Sequence, residues 1–102
     1  MKALLSRQPG DASTLTLEEV ADPIAGPAQL LLRVRACGVN YPDALHIQDL
    51  YQVKLPRPFS PGGEVCGVVE AMGGQVRGFS VGDLVIARCG SGGMAQKLAI
   101  AA

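Results

Sequence analysis

The chain of 102 residues has no tryptophan, a single histidine, two phenylalanines and two tyrosines. Its core must therefore be built from aliphatic side chains. It has no net charge, because nine lysines and arginines balance nine aspartates and glutamates. Without a basic excess nothing displaces counterions from nucleic-acid phosphates or binds an anionic membrane surface, so small molecules or proteins are the expected partners. No apolar run approaches the ~18 residues that span a bilayer. Only Ala3-Leu4-Leu5 separates Lys2 from Ser6-Arg7, too little for a signal peptide. Cys37, Cys66 and Cys89 form an odd set with no C-x-x-C spacing. That pattern suits reduced thiols better than a disulfide framework, and a cytoplasmic protein is expected.

What is present is an apolar fraction of 48%, enough for one globular domain over residues 1–102, with no repeat or linker. Thirteen glycines and seven prolines fall between short aliphatic runs, the punctuation of strands. Strands are expected over Met1–Arg7, Leu15–Val20, Gln29–Cys37, Glu64–Met72, Leu84–Ala87 and Met94–Ile100. In the third, strict alternation places Leu30, Leu32, Val34 and Ala36 on one face and Leu31, Arg33, Arg35 and Cys37 on the other. Only Tyr41–Leu50 departs from this pattern. Asn40 suits an N-cap, Pro42 and Asp43 suit a first turn, and a single short helix follows over 41–50. Three prolines between Lys54 and Gly63 predict an ordered surface loop.

Most chemical motifs fail on spacing. The three cysteines and His46 make a formal zinc set, but no two lie close enough in sequence to preorganise one loop. Gly90-Ser91-Gly92-Gly93-Met94-Ala95 satisfies G-x-G-x-x-[GA], yet Ala102 leaves no room for the βαβ unit and acidic residue that a pyrophosphate site needs; a flexible turn before a last strand is expected. There is no nucleophile elbow, His46 is expected to face solvent from the helix, and Glu18 and Glu19 point to opposite faces of a strand. Asn40 and Asp43 can act as helix-start residues alone, and Tyr51 as a half-buried amphipathic side chain, as well as in a site.

Four segments, read together, carry more. They are Gly38-Val39-Asn40-Tyr41-Pro42-Asp43, Ile47-Gln48-Asp49-Leu50-Tyr51, Pro61-Gly62-Gly63-Glu64-Val65-Cys66-Gly67 and Gly78-Phe79-Ser80-Val81-Gly82-Asp83-Leu84. In this order and spacing the chain resembles, over its whole length, the N-terminal GroES-like catalytic domain of medium-chain dehydrogenase/reductases. The resemblance implies a mainly β fold, a partly open β-barrel with one short helix. Where the family's alcohol dehydrogenases carry a ligand cysteine and a ligand histidine, this chain has Asn40 and Gly63. It is therefore similar to the zinc-free quinone oxidoreductase and enoyl reductase branch, and no metal is expected.

That branch transfers hydride from NADPH to a quinone or an α,β-unsaturated carbonyl. The resemblance implies catalytic roles for Asn40 and Tyr51, cofactor contacts for Asn40, Tyr41 and Asp43, and substrate contacts for Gln48, Tyr51 and Gly63. Asp49 stands where the enoyl reductase pattern has glycine. NADPH would be bound mainly by a Rossmann domain that this chain does not contain, so the chain alone is expected to be inactive. Its unpaired edge strands make a homo-oligomer possible. The alternatives are a co-chaperonin and a stand-alone small-molecule binding module. A co-chaperonin of this length expects a mobile polar loop where residues 30–34 read as a strand.

Overall fold

The computed structural model describes residues 1–102. Its elements in chain order are β1 (Lys2–Leu5), β2 (Thr16–Glu19), β3 (Gln29–Gly38), α1 (Tyr41–Ile47), β4 (Glu64–Met72), β5 (Leu84–Arg88) and β6 (Lys97–Ala101). A 3-10 turn over Ala12–Thr14, capped by Asp11, precedes β2. The fold is mainly β with one short helix, as the sequence predicts. The strands form two open sheets and not a closed barrel: β1 pairs with β2, and the larger sheet runs β5-β4-β3-β6, antiparallel throughout. The bridges Ala3–Ala95 and Ser6–Phe59 join β1 to the rest.

Alternation explains the core on one face of the larger sheet. Leu30, Leu32, Val65, Val69 and Val76 form its buried centre, flanked by Val85, Ala87, Leu98 and Ile100. Leu32 pairs with Val69 on one side and Leu98 on the other, so the most buried leucine sits at the middle of the sheet.

The expected alternation of β3 holds only as far as Val34. Val34 pairs with Gly67 but Ala36 pairs with Cys66, so Arg35 is an extra residue in the ladder. A bulge of this kind reverses facing beyond it. Cys37, not Ala36, therefore packs against the core, and Ala36 is exposed. β1 and β2 are shorter than expected, and β6 starts later, at Lys97. Residues 94–96 instead bond to β1 through Met94 and Gln96. The helix ends at Ile47, three residues before the expected Leu50, because Asp49 takes a left-handed backbone.

The small sheet is fastened at its edge by charge. Arg7 Nε and Nη2 donate to the two oxygens of Glu18 at 2.6 and 2.7 Å, a bidentate pair, and the Thr16 hydroxyl donates to the same carboxylate. Arg7, then Thr16, hold the Glu18 carboxyl down to about 2 from an ordinary 4.5. A group depressed on folding adds stability above its unfolded value and loses it as the pH falls through its folded value. The stability difference between the protein and an Arg7→Met variant should therefore be full at pH 6 and shrink between pH 4.5 and about 2. Denaturant unfolding at pH 6 and pH 3 measures it; a difference independent of pH would remove this pair from the account.

Candidate active site

The site begins where β3 ends. Gly38 and Val39 lead to Asn40, whose extended backbone (φ −126°, ψ 162°) turns the chain into α1. Asp43 reaches back to the N-cap residue Asn40 as the acidic partner of a capping box does. Asn40 N–H donates to Asp43 Oδ2 at 2.9 Å, and Asp43 N–H donates to the Asn40 carbonyl at 3.0 Å. The same helix buries Asp43, His46 and Ile47 against the body of the protein.

Helix α1 stops because Asp49 takes a left-handed backbone, φ 57°. Aspartate is one of the few side chains that tolerate this, and it occupies the position where the resemblance expects glycine. Arg57 compensates for the strain. Its Nη1 donates to Asp49 Oδ1 at 2.8 Å, its Nη2 to the Ile47 carbonyl at 2.9 Å and its Nε to the Ser6 hydroxyl at 3.2 Å. The guanidinium also lies 5.2 Å from the centre of the Phe59 ring. One side chain thus ties the end of α1 to the loop after it and to the end of β1.

That loop carries Tyr51 back over the helix. Its ring packs edge-on against His46, with centroids 4.7 Å apart and planes at 74°. Between this pair and the start of β4 lies an open cleft of about 900 Å³. Asn40, Asp43, His46 and Tyr51 form one wall; Gly63, Glu64 and the stretch Arg88–Ser91 form the other. Pro42, Val53 and Leu55 give it apolar patches. Gly38 fits the rim because a Cβ there would lie 2.5 Å from Glu64 Oε1 and 3.5 Å from Asn40 Nδ2. The missing side chain leaves space for that carboxylate and that amide at the mouth.

Beneath the cleft, Cys89 Sγ donates to the Gly62 carbonyl at 3.4 Å, and Cys37 Sγ donates to the Gly38 carbonyl at 3.6 Å. Burial pushes both thiols up from their ordinary range, with the Asp43 carboxylate adding to the shift at each. At neutral pH they are protonated and weakly nucleophilic. No group of three or more His, Cys, Asp or Glu side chains converges as metal ligands would.

The structure brings four of the sequence-predicted site residues, Asn40, Asp43, Tyr51 and Gly63, to this one cleft. Tyr41 and Gln48 lie outside it. Tyr41 is 77% exposed on the outer side of the helix, and Gln48 Nε2 donates to the Ala44 carbonyl at 2.8 Å. His46, expected to face solvent, is buried at 8% exposure because it lies on the face of α1 covered by Tyr51. Sequence reasoning missed His46, Glu64 and Arg88 as cleft residues. Glu64 lay within a quoted motif, whereas Arg88 carried no signal: it reaches the cleft only because β5 pairs Arg88 with Glu64.

The alcohol dehydrogenase GroES-like domain family matches residues 26–101. The quinone oxidoreductase of Lama guanicoe is 38% identical over 98 residues, 94% of this chain and 30% of that protein. The human synaptic vesicle membrane protein VAT-1 homolog is 43% identical over 76 residues, 74% of this chain and 19% of that protein. The crystal structure of the Thermus thermophilus quinone oxidoreductase, also solved with NADPH, superposes with a TM-score of 0.82 at 34% identity. That superposition covers 99% of this chain and 30% of the other. The chain thus spans between about a fifth and a third of the length of these relatives.

The fastening of the Tyr51 loop is testable. Asp49→Gly keeps the left-handed backbone and loses only the ion pair, whereas Asp49→Val also forces a β-branched side chain into it. Valine should cost ~1 kcal/mol or more beyond glycine in denaturant unfolding, since a left-handed turn strains a branched residue by at least that amount. Equal losses would show that backbone strain at residue 49 is not what the aspartate relieves.

Proposed function

Because the chain belongs to the alcohol dehydrogenase GroES-like domain family of medium-chain dehydrogenase/reductases, we propose that it is the substrate-side catalytic domain of a zinc-independent, NADPH-dependent quinone oxidoreductase-like enzyme. The reaction in this reading is hydride transfer to a quinone or an α,β-unsaturated carbonyl. The observation that carries it is the convergence of Asn40, Asp43, Tyr51 and Gly63 on one open cleft from segments on either side of the 54–61 loop.

The cleft fits a nicotinamide ring at its mouth, where the exposed Asn40 carboxamide has both a donor and an acceptor to offer a second carboxamide. NADPH, when bound, supplies the hydride. The chain's own residues then orient and stabilise. Asn40 holds the ring in register, and Asp43 fixes Asn40 by accepting its backbone N–H. The Tyr51 hydroxyl donates to the oxygen on which negative charge develops, a role that falls to hydrogen-bond donors where no metal acts as the Lewis acid. Gly63 adds no side chain of its own to the opposite wall. The Asn40 amide and the Tyr51 phenol, in place of convergent metal ligands, support the zinc-independent branch.

A Rossmann domain is proposed to hold the rest of NADPH across the open side of the cleft. Tyr41, exposed on the helix outside the cleft, is proposed to meet that domain. Gln48 is assigned to closing the helix through Ala44 and not to substrate contact. No helix is long and apolar enough to cross a membrane. The three free cysteines support a reducing compartment, the cytoplasm.

NADPH oxidation with a quinone or enone tests the reading. The 102-residue chain alone should show no saturable turnover. A polypeptide that joins it to a Rossmann domain should show turnover resistant to EDTA, lowered about 100-fold in kcat by Tyr51→Phe. Robust saturable turnover by the chain alone contradicts the two-domain cleft, and loss of turnover in EDTA contradicts zinc independence.

A further inference from the structure

His46 is the chain's one histidine, and the proposed reaction gives it no role. It lies in the last turn of α1 and lines the cleft. Its Nδ1 is the only fully buried side-chain nitrogen or oxygen in the chain without a hydrogen-bond partner. A proton on Nδ1 would be buried with no acceptor, a worse arrangement than an unmatched lone pair. The ring proton therefore belongs on Nε2. Nε2 also has no protein partner, but it is not sealed, and the cleft is the open space that His46 borders.

Tyr51 packs edge-on against this same imidazole. The contact sets the planes of the two rings against each other, and both residues, one with an imidazole N–H and one with a phenol, line the same wall of the cleft. A carbonyl oxygen has two lone pairs and can accept from both. An N–H left unmatched at a cleft wall discriminates for ligands that supply an acceptor and against those that do not.

We propose that His46 is a specificity-determining residue of this cleft, its Nε2–H donating to the carbonyl oxygen of the substrate beside the Tyr51 hydroxyl. The assignment deepens the hydride-transfer reading and rests on it. It makes a neutral carbonyl compound the preferred occupant, with the oxygen at the His46–Tyr51 end and the hydride-accepting carbon toward Asn40.

A single imidazole makes the test direct, because the long-range ¹H–¹⁵N spectrum of the chain contains one histidine ring. The free chain should show the Nε2–H tautomer. Addition of tetramethyl-1,4-benzoquinone, whose fully substituted ring resists attack by thiols, should shift Nε2 and leave Nδ1 in place. His46→Phe, which keeps an aromatic partner for Tyr51, should weaken binding of this quinone about fivefold, and His46→Gln should recover part of the loss. A proton found on Nδ1, quinone-induced shifts at Asn40 and Tyr51 without one at the imidazole, or equal binding by His46→Phe would each overturn the role of His46 while leaving the hydride-transfer reading in place. If saturating quinone moves no resonance of the cleft, the reading of the cleft as a carbonyl site fails, and the inference with it.

Discussion

The meeting of two glycine backbones joins the small sheet and the cleft to the larger sheet. Gly93 N–H donates to the Gly62 carbonyl at 2.9 Å, with Gly92 N–H to Ser60 and Met94 N–H to Pro61 on either side at 2.7 and 2.9 Å. A Cβ on Gly93 would lie 2.7 Å from Val65 Cγ1 and 2.9 Å from both Cys37 Sγ and the Gly62 oxygen. A Cβ on Gly62, itself at φ +103°, would lie 2.6 Å from the same sulfur. Only glycine at both positions lets the chain before β4 and the chain before β6 approach this closely.

The small sheet and the second wall of the cleft hang from that contact. Met94 passes its carbonyl to Leu4 N–H, and Phe59 exchanges hydrogen bonds with Ser6, so the small sheet is attached through the two segments that the glycines join. Gly63 and Cys89 continue the contact into the cleft, where Cys89 N–H donates to the Gly63 carbonyl at 2.8 Å. The second wall of the site is thereby set against the first, which Asp43, Arg57 and the His46–Tyr51 packing keep in shape. The cleft is an arrangement of backbones first and of functional groups second. This is the order expected where polar side chains must be held still before they can orient a substrate.

Local signals were legible in the sequence, and contacts between distant segments were not. β4 lies where its valine-rich run placed it, and the start of α1 follows from Asn40, Pro42 and Asp43. The end of α1 was misjudged because the left-handed turn at Asp49 depends on Arg57, eight residues away, and not on an apolar period. Facing in β3 failed at Ala36 and Cys37 because a bulge is a property of the pairing with β4. Four of the cleft residues, Asn40, Asp43, Tyr51 and Gly63, were named from motif order. His46 was not, since its burial comes from a tyrosine folded back over it, nor was Arg88, which β-pairing alone brings to Glu64. Gly62 stood in the sequence within a motif and Gly93 within a flexible turn; their role as a point of contact exists only in three dimensions.

Amide hydrogen exchange on a Gly93→Ala variant tests this constraint most directly. If the glycine contact joins the two sheets, the amides of Leu4, Ser6, Gly92 and Met94 should lose protection together, while those of β3 and β4 around Leu32 and Val69 keep theirs. Protection unchanged at Leu4 and Ser6 would show that the small sheet and the cleft stand without the contact, and would contradict the account.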